Sequence, residues 1–133
     1  MTSILLVEDH AWFRRTLKEV ILQAFSDARV FEAEDGTQAI DLFHEHMEEI
    51  ELALVDINIP APNGLAVTRE VKTEKPNLLV AILTNHDSDE YRDAAEEAGA
   101  DHFFTKANTS ISDLVRLINK TNGNNDGDGS GSG

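Results

Sequence analysis

Four short apolar runs each end in a residue able to do chemistry. Glu8 and Asp9 follow Ile4-Leu5-Leu6-Val7, and Asp56 follows Leu52-Ala53-Leu54-Val55. Thr84 follows Leu79-Val80-Ala81-Ile82-Leu83, and Lys106 follows His102-Phe103-Phe104-Thr105. In an open parallel sheet, ligands bind outside the carboxyl ends of the strands. If the runs are parallel strands, these carboxylates, the hydroxyl and the ammonium meet at one edge. Such a set suits a divalent cation and a phosphoryl group. Three carboxylates a few ångströms apart repel one another, and a cation removes the conflict. Mg²⁺ is the expected ion, because it takes oxygen ligands and keeps several waters. Beside it Asp56 is ionised and able to attack phosphorus, as carboxylates do in aspartyl-phosphate chemistry. Lys106 then balances the charge of the transferred group, and Thr84 offers it a hydroxyl.

The elements that must position these residues follow from periodicity. Ser3 to Val7 is a continuous apolar run, as in a strand buried on both faces. His10 to Phe25 has helical spacing through Phe13, Leu17, Val20, Ile21 and Ala24. Arg29 to Ala33 reads as a second strand. Thr37 to Met47 reads as a second helix after the turn residues Asp35-Gly36, and Leu52 to Val55 as a third strand. Pro60, Pro62, Asn63 and Gly64 predict a rigid loop. A helix from Leu65 to Glu74 stops before Pro76, and Leu79 to Leu83 is a fourth strand. Asp87 precedes a helix over Ser88 to Ala98, with Glu90 as capping-box partner and Gly99 as terminator. His102 to Phe104 is a fifth strand. Ser110 caps a last helix with Ile111, Leu114, Val115 and Ile118 on its apolar face. Five strands alternating with five helices predict an α/β fold, a doubly wound parallel sheet in a single domain over 1–121. Residues 122–133 carry no apolar side chain and read as a flexible tail or linker.

Bulk composition excludes several classes. The 133 residues, 41% hydrophobic, suit one domain with a real core. A formal charge of -14 disfavours direct contact with a phosphate backbone. The absence of cysteine removes disulfides, thiolate metal sites and thiol nucleophiles. No apolar run approaches the roughly 20 residues of a membrane helix, and the N-terminus lacks signal-peptide character. A cytoplasmic location is the expectation.

The chain closely resembles the receiver domain of bacterial two-component response regulators. The resemblance rests on Leu-Leu-Val-Glu-Asp-His over 5–10, Ala-Leu-Val-Asp-Ile-Asn-Ile-Pro-Ala-Pro-Asn-Gly over 53–64, Ile-Leu-Thr over 82–84 and Ala-Gly-Ala-Asp-His-Phe-Phe-Thr-Lys over 98–106. It runs from about Ser3 to Asn119 and implies a flavodoxin-like arrangement of the sheet. By this resemblance Asp56 is the phosphoacceptor for a phosphohistidine on a sensor histidine kinase. Asp9, Asp56 and the backbone carbonyl of Asn58 are implied ligands of Mg²⁺ (or Mn²⁺), with Glu8 acting partly through water. Lys106 is implied to pair with Asp56 and then with the phosphoryl group. Thr84 is implied as the switch hydroxyl, and Phe103 as the aromatic that turns inward with it. A partner or output domain is implied to read the face of the fourth helix, fifth strand and fifth helix. The protein is then a phosphoacceptor switch that promotes its own phosphorylation and dephosphorylation, rather than a conventional enzyme.

The chain also departs from the family pattern. Ala107 stands where proline usually follows the lysine. A cis bond before a non-proline residue costs about 2.5–4 kcal/mol, so Lys106-Ala107 is expected trans. A residue other than proline there also occurs in receivers joined to helix-turn-helix output domains. Asn85 occupies a usually small position, where it crowds the mouth of the site. Asn58 and His86 occupy positions that tune hydrolysis. Neither is a carboxylate that orients water strongly, so the aspartyl phosphate is expected to last minutes.

Competing readings leave distinct marks. An aspartyl phosphohydrolase needs a second aspartate two residues after the nucleophile, where Asn58 stands. A flavin binder on this fold needs a phosphate loop after the first strand, where Glu8-Asp9 repels phosphate. A pseudo-receiver scaffold working without phosphorylation is the runner-up, favoured by Asn85 and Ala107. His44-Glu45-His46 reads as a solvated helix face rather than a metal site, because residues two apart do not face each other. Glu45, Glu48, Glu49 and Glu51 read as a solvated acidic cluster. The calcium-loop-like stretch from Asp126 lacks the closing glutamate and reads as tail. Trp12 is expected near the acidic site as a fluorescence reporter.

Overall fold

The computed structural model describes residues 2–121. Strands and helices alternate along the chain: β1 (Ser3–Val7), α1 (Ala11–Ala24), β2 (Arg29–Ala33), α2 (Gly36–Glu45), β3 (Ile50–Val55), α3 (Gly64–Glu74), β4 (Leu79–Thr84), α4 (Asp89–Ala98), β5 (His102–Thr105) and α5 (Ile111–Thr121). The strands form one parallel sheet in the order β2-β1-β3-β4-β5. The order reverses between β1 and β3, which makes that edge the topological switch point.

Alternation along the strands divides the core in two. Leu5, Val7, Ala53, Val55, Val80 and Ile82 face one way, onto Ala39 and Phe43 of α2, Val67 and Val71 of α3 and Ala95 of α4. Ile4, Leu6, Leu52, Leu54, Ala81 and Leu83 face the other way, onto Leu17 and Ile21 of α1 and Leu114, Leu117 and Ile118 of α5. Burial on both faces explains the near-continuous apolar runs of the central strands.

The helix starts follow from short polar caps. His10 Nδ1 accepts from the Phe13 amide at 3.3 Å, and Asp35 Oδ1 accepts from Gln38 at 2.7 Å. Asn63 Oδ1 accepts from Ala66 at 3.0 Å, and Ser110 exchanges reciprocal bonds with Asp113 at 3.0 and 3.1 Å in a capping box. One expected cap is corrected. Ser88, not Asp87, caps α4 and accepts from Tyr91 at 3.2 Å, so Glu90 is not a box partner. Asp87 instead accepts from Arg92 Nε at 2.9 Å. On α5, Leu117 belongs to the buried face while Ile111 is exposed, because the helix begins at Ile111 with its first turn turned outward. Gly99 ends α4 at φ 103°, the left-handed region a side chain disfavours.

The β3–α3 loop is packed against the sheet edge. The Gly36 amide donates to Pro60 at 3.0 Å, and the Gly64 amide donates to Ile57 at 2.9 Å. A Cβ on Gly64 would lie 2.1 Å from the Asp56 carbonyl oxygen. Among the described residues Ala61-Pro62 is the one cis peptide, so Lys106-Ala107 is trans, as its residue types predict. Of the acidic cluster around the end of α2, Glu45, Glu48 and Glu51 are exposed as expected, while Glu49 is tied to its neighbours. Glu49 accepts from Arg29 Nη1 at 2.6 Å and from Ser3 Oγ at 3.4 Å, and His46 stacks on Phe31 with ring centroids 4.1 Å apart. His44 meets Glu74 at 2.9 Å and Glu70 at 3.4 Å, which ties α2 to α3. The tail residues 122–133 and their calcium-loop-like stretch lie outside the described residues.

Candidate functional site

Parallel pairing carries the reactive residues to one edge. The Glu8 amide donates to Ala33 at 2.9 Å, the Asp56 amide to Val7 at 3.0 Å, and the Lys106 amide to Thr84 at 2.8 Å. Each bond fixes the backbone of one strand end against its neighbour. Glu8, Asp9, Asp56, Thr84 and Lys106 thereby line a single cleft of about 370 Å³, together with Asn58, Asn85 and His86. All eight belong to the set expected from sequence. Phe103 is the ninth, and it does not line this cleft. It packs half-buried against the core on the α2–α4 side, with the Arg92 guanidinium 4.7 Å above its ring.

Lys106 organises the floor of the cleft. Its Nζ donates to Glu8 Oε1 at 2.5 Å and to Asp56 Oδ2 at 3.0 Å. Asp56 Oδ1 also accepts weakly from the Asn58 amide at 3.3 Å. Burial raises the Glu8 pKa, and the bonds from Lys106 and the His10 amide only partly oppose it. Burial also works against the charged ammonium of Lys106, but its bonds to Glu8 and Asp56 outweigh that and raise its pKa. Lys106 is therefore held fully charged. Thr84 is fully buried at the end of β4, and its Oγ1 accepts a long bond from the His86 amide at 3.4 Å. His86 stacks on Tyr91 at 4.9 Å, directed toward α4. Asn85 is exposed at the cleft wall.

Carboxylate oxygens of Glu8, Asp9 and Asp56 lie within 4.8 Å of one another. One ammonium faces three carboxylates, so the site keeps excess negative charge open to the cleft. Hard oxygen donors at this spacing fit a small divalent cation such as Mg²⁺ or Mn²⁺.

Sequence reasoning missed the first turn of α1. Arg14 Nη1 donates to the Glu8 carbonyl at 2.8 Å, and its Nε bonds Glu32 at 3.2 Å. Lys18 reaches the same carboxylate at 2.9 Å. Burial opposes ionisation of Glu32, but these two cations prevail and lower its pKa. The ring of Phe13 lies under Lys106, its centroid 4.4 Å from Nζ. Helical periodicity assigned Phe13 to the core stripe alone. The overlooked signal was proximity: α1 begins two residues after Asp9, so its first turn must stand at the rim. Trp12 does line the cleft and is 67% exposed, as its use as a reporter requires.

Comparison with known proteins adds the relationships. A family model described as the response regulator receiver domain matches residues 4–119. Over 103 residues the chain is 38% identical to the aerobic respiration control protein ArcA of Escherichia coli (strain K12), an alignment covering 77% of this chain and 41% of ArcA. The chain thus spans less than half the length of that relative. Among solved structures, a DNA-binding response regulator of the LuxR family from Staphylococcus aureus superposes with a TM-score of 0.82 at 28% identity, covering 92% of this chain and 99% of that one. The Mn(2+)-bound form of response regulator Rcp1 superposes with a TM-score of 0.72 at 25% identity, covering 92% and 93% of the two chains.

Proposed function

The chain belongs to the response regulator receiver family, and from that premise we propose that it is a phosphorylation-controlled switch with Asp56 as phosphoacceptor. The donor is the phosphohistidine of a sensor histidine kinase. One observation carries the reading: Lys106 bonds Asp56 at 3.0 Å from two strands away, beside Glu8 and Asp9 in one open cleft.

An oxygen of Asp56 forms the new O–P bond as the donor's N–P bond breaks, and the imidazole leaves with the electron pair. The bond from Lys106 occupies Oδ2, which fixes the carboxylate plane before the donor arrives. Glu8, Asp9, Asp56 and the Asn58 carbonyl would hold Mg²⁺ or Mn²⁺, which when bound neutralises charge on the transferred group. Lys106 then turns from carboxylate to phosphoryl oxygen, adding a charge-assisted bond. Thr84 is positioned to donate its hydroxyl to the same group.

Phosphorylation adds about two negative charges and strong acceptor oxygens. It biases an existing equilibrium in the loop after Thr84 and in Phe103. Inward movement of Phe103 would break its contact with Arg92 and alter the face formed by α4, β5 and α5, which a partner or output domain reads. Asn58 and His86 both line the cleft and flank the path of the attacking water, and neither is a carboxylate that orients it strongly. An aspartyl phosphate lasting minutes follows, and unchanged dephosphorylation on replacing both by Ala would exclude that account. Among the described residues no helix is long and apolar enough to cross a membrane. We place the protein in the cytoplasm with its kinase partner, without direct nucleic-acid contact.

Intact mass after incubation with Mg²⁺ and acetyl phosphate tests the proposal. One phosphoryl adduct on wild type, absent without Mg²⁺ and absent in Asp56→Asn, is the expected result. No adduct, where a control receiver is labelled, would replace this reading by the pseudo-receiver scaffold.

A further inference from the structure

We propose that Phe13 is a positioning residue for phosphoryl capture, its ring face serving as the third partner that holds the Lys106 ammonium over Asp56. The inference rests on the receiver reading above and extends it to a residue of α1. An ammonium has three donors. Two go to Glu8 at 2.5 Å and Asp56 at 3.0 Å, and the ring of Phe13 stands 4.4 Å from the same nitrogen. The Lys106 side chain is only 11% exposed, so water does little of this work.

The choice of partner has a physical reason. A further carboxylate at this point would add to the repulsion among Glu8, Asp9 and Asp56. A water would leave the long side chain free to swing out of line. An aromatic face attracts the cation through its quadrupole and adds no net charge. The attraction holds wherever the ammonium stays over the ring face, so Nζ can pass from carboxylate to phosphoryl oxygen without leaving the ring. The ring itself is held by the start of α1. Its amide donates to His10 Nδ1 at 3.3 Å, and the next residue, Arg14, donates to the Glu8 carbonyl at 2.8 Å. The segment that bears the acidic pair therefore also fixes the ring.

The test compares initial rates of labelling by acetyl phosphate with Mg²⁺ for Phe13→Leu and Phe13→Tyr, each alone and combined with Lys106→Met. Leucine keeps the apolar cover and removes the π face. We expect Phe13→Leu to slow labelling about fivefold, and Phe13→Tyr, which keeps the ring, to recover most of the loss. In the Lys106→Met background Phe13→Leu should change the rate less than about twofold, since the cation is gone. Mg²⁺ affinity, read from Trp12 fluorescence, should stay within about twofold in Phe13→Leu. Wild-type rates in Phe13→Leu would overturn the inference, as would equal slowing with and without Lys106, which marks packing alone. A wild type that takes no label sinks the receiver reading and this one together. A labelled wild type with an unaffected Phe13→Leu sinks only the role of Phe13.

Discussion

Replacing Asp9 by asparagine is expected to stabilise the metal-free protein while removing its response to Mg²⁺. Asp9 is exposed and has no salt bridge among the described residues, whereas Glu8 and Asp56 both pair with Lys106. Its carboxylate sits within 4.8 Å of theirs. Two unit charges about 4.8 Å apart repel by about 0.9 kcal/mol in bulk water and about 3.5 kcal/mol at an effective dielectric near 20. Exposure places Asp9 near the lower figure. Two such repulsions, partly offset by Lys106, leave a net gain of about 1 kcal/mol for Asp9→Asn. For a domain of this size that raises Tm by about 4 °C. Mg²⁺ at ten times its Kd adds about 1.4 kcal/mol to wild type, and the variant, lacking one ligand, should gain little. Thermal unfolding followed by circular dichroism reads both effects. In EDTA at low salt the variant melts higher, and in Mg²⁺ the order inverts. At about 1 M salt, where the Debye length is about 3 Å, the gain in EDTA should fade. A variant melting below wild type in EDTA and low salt would refute the argument that these carboxylates strain one another.

Lys106→Met should act in the opposite direction. It leaves Glu8 and Asp56 buried without a cation, at a cost of about 2–4 kcal/mol in EDTA at neutral pH, measured by urea unfolding. Because burial raises the Glu8 pKa, this loss should shrink as pH falls and Glu8 takes up a proton. Gly64→Ala must push the β3–α3 loop away from the Asp56 carbonyl, destabilising by about 2–3 kcal/mol and lowering the yield of the phosphoryl adduct in intact mass. The bond to Glu74 raises the His44 pKa above 6.5. Its stabilisation is complete below 6.5 and is lost as pH rises through the higher folded value. In NMR titration Glu74→Gln should bring the His44 midpoint down toward 6.5, and the loss of stability above that pH should shrink, with Glu70 and Asp41 keeping a remainder.

The sequence by itself determined the alternation of elements, the chemistry of the strand ends and the family. Strand burial on both faces writes itself as unbroken apolar runs, and each run here ends at the residue the sheet edge needs. Local caps were legible where a single side chain bonds the nearest free amide, as at Ser110. They were misread at Asp87 and Ser88, two adjacent capping residues whose choice depends on where Arg92 lies. Tertiary structure alone decided the pairings between distant elements. Glu8 and Lys106 are 98 residues apart, and no local pattern announces their bond. Phe13 looked like a core residue because helical periodicity reports which face is covered, not by what. His44 looked solvated because its partners, Glu70 and Glu74, belong to a different helix. Periodicity encodes burial against a mean environment, whereas charge pairing depends on the separation of particular atoms, and only the folded chain sets that.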